Sequence, residues 1–259
     1  LRPKLLRGAV AATLAVVVTL PLGAQPAQAF DVSKIVTVVK TAYELYKTFK
    51  GGGMSIDEAT TKIIASINSA KTDIISQIDR VATAQARACA QSSIIDFADI
   101  QTFTQDTLQA YARDTTACVT LIDSLLDVVT DKGAADQLGF AINAVGPIAL
   151  VARSRAGFTT AALLGTAVHG NDTTLTRIAP TCSAGFEGIG SGGPVNGARY
   201  RAVTTCTAYD GQRATKSITI VWPPTSNPFD VPGVSAQAAS NTSYVQARAV
   251  LPILRSISA

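Results

Sequence analysis

The stretch CAQSSIIDFADIQTFTQDTLQAYARDTTAC, residues 89–118, decides how the helices of this chain are arranged. Cysteines close both of its ends, 29 residues apart. A continuous helix would hold them roughly 43 Å apart at 1.5 Å per residue. A disulfide tolerates only about 4.4–6.8 Å between α-carbons. If Cys89 and Cys118 pair, the chain must therefore reverse near the midpoint, around Phe103, where Thr102-Phe103-Thr104 interrupts the helical pattern. This reading predicts an antiparallel helical hairpin cross-linked part way along its length. A closed loop of this size contributes about 3–4 kcal/mol in the chain-entropy picture.

Helical periodicity extends in both directions. Val32, Ile35, Val39, Ala42, Tyr46 and Phe49 recur at steps of three and four, and Gly51-Gly52-Gly53 ends that helix. Ser55 caps the next one, with Glu58 completing a capping box. Ile56, Thr60, Ile63, Ile67, Ala70, Ile74, Gln77, Val81, Ala84 and Ala88 continue a 4-3 alternation, which predicts one long helix over 56–88. Ile64, Ile75 and Ile78 widen the stripe beyond a two-stranded coiled coil and favour a helical bundle. Thr60 and Gln77 are polar at seam positions and can set register. A further helix is predicted from about Gln105 to Thr130, carrying Leu108, Tyr111, Val119, Ile122, Leu126 and Val129 on one side. Asp131-Lys132-Gly133 marks a stop.

Residues 139–168 hold two apolar runs separated by Arg153-Ser154-Arg155, neither long enough to span a bilayer as a helix. The plain reading is a pair of buried helices. The sharper reading is a membrane-inserting or partner-binding segment centred on Phe140, Ile148, Leu150, Leu163 and Leu164.

Beyond Pro180 the composition changes. Arg199–Tyr209 and Gln212–Trp222 read as strands joined by Asp210-Gly211, a two-residue hairpin signal. Pairing Cys182 with Cys206 would staple the glycine-rich stretch 185–197 to this hairpin, although four cysteines permit three connectivities. Pro223-Pro224 ends the second strand, and Ser243–Ile257 reads as a helix despite Pro252. The expected fold is mainly α: a long helical hairpin or bundle (30–179), followed by a small disulfide-tied β-hairpin region with a C-terminal helix (180–259).

The first 29 residues have the form of a signal peptide. Arg2, Lys4 and Arg7 precede an apolar stretch from Gly8 to Leu20, and Ala27-Gln28-Ala29 places cleavage between Ala29 and Phe30. Four cysteines in an exported chain suit two disulfides. The net charge of +4 falls to near neutrality without the leader, so the basic balance gives no argument for nucleic acid. Charged residues are only 15% of the chain, which suits tight packing, association or an apolar contact.

Several motifs invite chemistry. Gly190-Ser191-Gly192-Gly193-Pro194 looks like the nucleophile loop of trypsin-like serine proteases, but Gly190 stands where that family has an aspartate. The family also needs a histidine and aspartate spread over a double β-barrel. Here His169 is the only histidine, 22 residues upstream, and everything before it reads as helix or leader. Gly188, Gly190 and Gly193 satisfy GxGxxG, yet Pro194-Val195-Asn196-Gly197 starts no helix to receive a pyrophosphate. His169 reads as a helix-end residue, because Gly170-Asn171-Asp172 resembles a terminus. The pairs Asp57/Glu58, Asp96/Asp99 and Asp123/Asp127 read as solvated surface, with Asp96 a capping partner of Ser93. No CxxC spacing supports zinc, and no cofactor is expected.

Arg199, Arg201, Tyr209, Arg213 and Trp222 form the candidate binding face, where cations among aromatics suit a glycan or acidic polymer. Alternation places Arg199, Arg201 and Tyr209 on one side of the strand. These features favour a secreted, non-enzymatic binding protein with a protein or cell-surface partner. A helical membrane-perturbing toxin is the alternative, and an enzyme with an illegible site the third class.

Overall fold

The computed structural model describes residues 32–257. The expected signal peptide and its cleavage position lie outside the described residues. Among the described residues the chain is mainly helical, with a small antiparallel sheet and two disulfides.

Helix α1 (Val32–Lys50) buries the seam read from its sequence, Val32, Ile35, Val39, Ala42 and Tyr46, together with Val38 and Tyr43. Ser55 caps α2 (Ile56–Ser69) by accepting the Glu58 N–H at 3.1 Å. Glu58 does not return the favour expected of a capping box; its carboxylate accepts from Lys62 at 2.7 Å.

The single helix expected over 56–88 is broken twice, into α2, α3 (Lys71–Ile78) and the start of α4 (Ala84–Phe97). At the first break the Ser69 hydroxyl donates to the Ser66 carbonyl at 2.6 Å, and Ala70 leaves helical geometry at φ −127°. Serine and asparagine compete with the helical ladder in this way. At the second break the Asp79 carboxylate and carbonyl accept from Gln91 and Arg87, both on α4. Apolar burial survives the first break, with Ile67, Ala70, Ile74, Ile78 and Val81 all inside. It does not survive the second: Ala84 and Ala88 face solvent, while Ala86, Ala90, Ile94 and Phe97 turn inward. Ser93 and Asp96 accordingly lie inside α4 rather than capping a helix.

Cys89 and Cys118 are joined, with α-carbons 5.6 Å apart. Between them the chain passes through a 3-10 turn (Ile100–Thr102) and extended Phe103 into α5 (Gln105–Val128), capped by Thr104. Phe103 packs edge-on against Tyr111 at 5.4 Å, and the Tyr111 hydroxyl donates to the Ser93 carbonyl of α4.

Asp131 caps α6 (Lys132–Arg155) by accepting from Ala134 N–H at 2.7 Å. This helix is buried without interruption from Leu138 to Ala152 and touches α1, α2, α3, α4, α5, α7 and α9. A helix apolar on all sides is the centre of such a packing or a membrane span, and here protein surrounds it. Helix α7 (Ala161–Arg177) follows. It runs straight through Gly170-Asn171-Asp172, so His169 is a mid-helix residue and not a helix end. The glycine is there for proximity: a β-carbon at 170 would lie 2.2 Å from Ile142 Cδ1 of α6. The Asn171 amide stays inside the helix by donating to Ala167 O at 2.8 Å and accepting from Asn143 at 2.8 Å.

The sheet has three strands where two were expected: β1 (Thr181–Glu187), β2 (Arg199–Thr207) and β3 (Arg213–Val221), in order β1-β2-β3 and antiparallel. Cys182 sits directly opposite Cys206 in the β1–β2 ladder, and the two are joined. A short helix not read from the sequence, α8 (Val231–Ala238), is capped by Asp230 and packs Val234 and Ala238 on Cys206 and Ala214. Finally, α9 (Ser243–Ile257) returns to α1, α6 and α7, placing Val250, Ile253 and Leu254 in the main core.

Candidate functional site

Strand alternation gives the sheet two different faces. Tyr200, Ala202, Thr204 and Cys206 of β2 are buried, Cys206 against Val234 and Ala238 of α8. At one end of this inner face Trp222 meets Phe186 edge-on at 5.3 Å and Tyr200 at 6.2 Å, while Phe186 touches Phe229 at 5.0 Å. The Tyr200 hydroxyl accepts the Val195 N–H at 2.8 Å, tying down the glycine-rich loop.

Among the described residues no helix or strand is laid over the opposite face. It carries Thr181, Ser183, Gly185 and Glu187 from β1, Arg199, Arg201, Val203, Thr205 and Thr207 from β2, and Arg213, Thr215, Ser217, Thr219 and the exposed Val221 from β3. Thr205 and Thr215 pair hydroxyl to hydroxyl at 3.0 Å. Arg201 donates to Ser217 Oγ at 3.1 Å and lies 3.5 Å from the Glu187 carboxylate. Over Gly185, between Ser183, Glu187, Val203 and Thr205, lies a shallow hollow of ≈ 310 Å³.

The five residues of the candidate binding face are thus divided. Arg199, Arg201 and Arg213 stand on the open outer face. Trp222 belongs to the inner aromatic group. Tyr209 lies past the end of β2, so alternation no longer applies; its hydroxyl donates to Asp136 Oδ2 of α6 at 2.7 Å. The hydroxyl array and the hollow were not anticipated, although the Ser/Thr spacing of two along these strands carries the signal.

Phe140, Ile148, Leu150, Leu163 and Leu164 are all core residues. Helix α6 is long and apolar enough to cross a membrane by length and composition, but 89% of its most apolar window is buried in the protein. That is the signature of a central core helix.

The remaining motifs resolve as follows. Ser191 sits in a solvent-exposed turn, and His169 is engaged elsewhere: its Nδ1 lies 2.9 Å from Asp123 Oδ1 and its Nε2 3.7 Å from Asp127 Oδ1. The hydrogen bond and charge of Asp123 raise the His169 pKa above its ordinary value. Asp123 is itself raised, because burial outweighs the opposing effect of His169. The pair Asp123/Asp127, read as solvated surface, meets His169 between α5 and α7 and forms an ion pair with it when the imidazole is protonated. A strand, β1, does precede the GxGxxG glycines, but β2 follows them where a phosphate site requires a helix N-terminus. Asp57 accepts from Arg155 of α6 and Glu58 from Lys62, which leaves that pair a surface role.

The most buried carboxylate is Asp136. It accepts from Ser243 N–H at 2.6 Å, from Ser243 Oγ at 2.8 Å and from Tyr209. Burial raises its pKa, and these three donors partly offset the effect. It joins α6, α9 and the end of the hairpin.

Comparison with known proteins finds no matching family model, no matching curated protein and no matching solved structure. Two disulfides are consistent with an extracellular protein.

Proposed function

We propose that this chain is a secreted, non-enzymatic binding protein that presents the outer face of its sheet to a polar partner on a cell surface. The observation that carries the reading is the contrast between the two sheet faces. One packs in part on α8 and an aromatic group, while the other is open and lined mostly with hydroxyls and guanidinium groups, with Val203 and Val221 among them. Such a surface suits hydrogen bonding to a polar polymer better than burial against an apolar protein, whose contacts concentrate in aromatic anchors. Export rests on the leader-like residues 1–29, with cleavage between Ala29 and Phe30, and is in keeping with the two disulfides.

The oxidised protein recovered from culture supernatant should be retained on intact cells or isolated cell walls. The double variant R199S/R213S, altered at two exposed positions, should lose at least tenfold of that retention. Undiminished retention of the variant, or none by the parent, would sink the reading. N-terminal sequencing of the supernatant protein checks the cleavage position independently.

A further inference from the structure

We infer that the hollow over Gly185 is a subsite for a neutral pyranose unit, an inference that rests on the outer-face reading above. It begins with a glycine that the fold does not require. Glycine in a strand interior weakens the strand, and it marks a bulge, a close approach within the chain, or a close approach by something outside it. The first is absent: β1 pairs with β2 in unbroken register, with Gly185 opposite Val203. Nor does Gly185 have a positive φ. The second is absent as well, since a β-carbon at 185 would meet nothing within 4 Å. An external group approaching the backbone is the reason that remains.

The lining says what kind of group. Ser183 and Thr205 offer hydroxyls that both donate and accept, Glu187 offers a carboxylate that accepts, and Val203 offers a small aliphatic surface. Sugar hydroxyls need such mixed partners, and the C–H face of a pyranose suits Val203. The Arg201 guanidinium holds the Glu187 carboxylate from the side. Arg201 is committed to Glu187 and no cation lines the hollow itself, so nothing there would pair with the carboxylate of an acidic sugar, and a neutral one is favoured. Ser183 and Glu187 are about 13 Å apart along the strand, which leaves room for the ring and its substituents.

The test is an NMR titration of the oxidised protein with hexasaccharides of glucose, mannose, galactose and N-acetylglucosamine, with a galacturonate hexasaccharide as the acidic control. At least one neutral oligomer should shift the amides of 183–187 and 203–205 saturably. Gly185→Val should weaken that binding at least tenfold while melting at or above the parent temperature, because the added side chain fills open space on a strand. Saturable shifts with the uronate alone, shifts with no oligomer, or undiminished binding by G185V would each overturn the inference. If G185V still adheres to cell walls while R199S/R213S does not, the pyranose subsite falls and the outer-face function stands. If the parent adheres to no cell wall, the function itself falls, whatever the sugars do.

Discussion

The Tyr209 hydroxyl donates to the Asp136 carboxylate at 2.7 Å across 73 positions of sequence, and so fastens the end of the β-hairpin to the central helix. Burial, followed by the charge of Asp136, pushes the Tyr209 phenol far above its ordinary value, so it remains a donor into alkaline solution. Tyr209→Phe removes that donor and leaves Asp136 with Ser243 alone. A hydrogen bond to a charged group contributes about 1.5–3 kcal/mol. Denaturant unfolding should show a loss of that order, and an unchanged midpoint would contradict the assignment.

His169 gives the stability a pH dependence of known sign. Its folded-state pKa is raised, so its contribution is fully present below the unfolded value of about 6.5 and is lost as pH rises through the folded value. The carboxylates facing it are Asp123, Asp127 and Asp172. The histidine side chain is 54% exposed, so solvent screening holds the effect to under about 1 kcal/mol. Melting temperatures at pH 5.5 and pH 8.5 should differ less for His169→Gln than for the parent. An equal difference in both would assign the pH dependence to other groups.

Removing the Cys89–Cys118 bridge as C89A/C118A frees a loop of 29 residues and should cost about 3–4 kcal/mol. At about 2–4 °C per kcal/mol for a chain of this size, calorimetry should register a drop on the order of 10 °C. A drop of a degree or less would show that packing between α4 and α5 already restrains the unfolded chain.

Gln246 on α9 is fully buried, and among the described residues neither its amide nitrogen nor its amide oxygen has a hydrogen-bond partner. Unsatisfied buried polar atoms cost about 1–3 kcal/mol, whereas an apolar group of similar shape costs nothing comparable. Gln246→Met should therefore raise the melting temperature by several degrees. A fall instead would reveal a partner for the amide inside the core.

Legibility in the sequence follows the range of the interaction. The seam of α1 is set by residues three and four positions apart and is readable. The reversal near Phe103 is inferred instead from cysteines 29 positions apart. The turn after β2 runs over Tyr209-Asp210-Gly211, one residue longer than the two-residue turn expected. The breaks in 56–88 are not readable, because apolar residues keep helical spacing across Ala70 even where the hydrogen-bond ladder stops. Strand β1 hides for a different reason: Thr181-Cys182-Ser183-Ala184-Gly185 is small and polar, and only pairing with β2 makes it a strand. Within the candidate site the outer arginines follow from alternation. Tyr209 does not, since its direction is fixed by Asp136, and nothing in the local sequence announces a partner 73 residues away. His169 is similar, its place set by Asp123 on another helix.

The position of α9 has a consequence for the order in which the molecule is made. Val250, Ile253 and Leu254 fill the core against α1, α6 and α7, elements synthesised long before them. A chain growing from its N-terminus therefore has an open seam along its central helix until α9 emerges, and the core around α6 is completed only then.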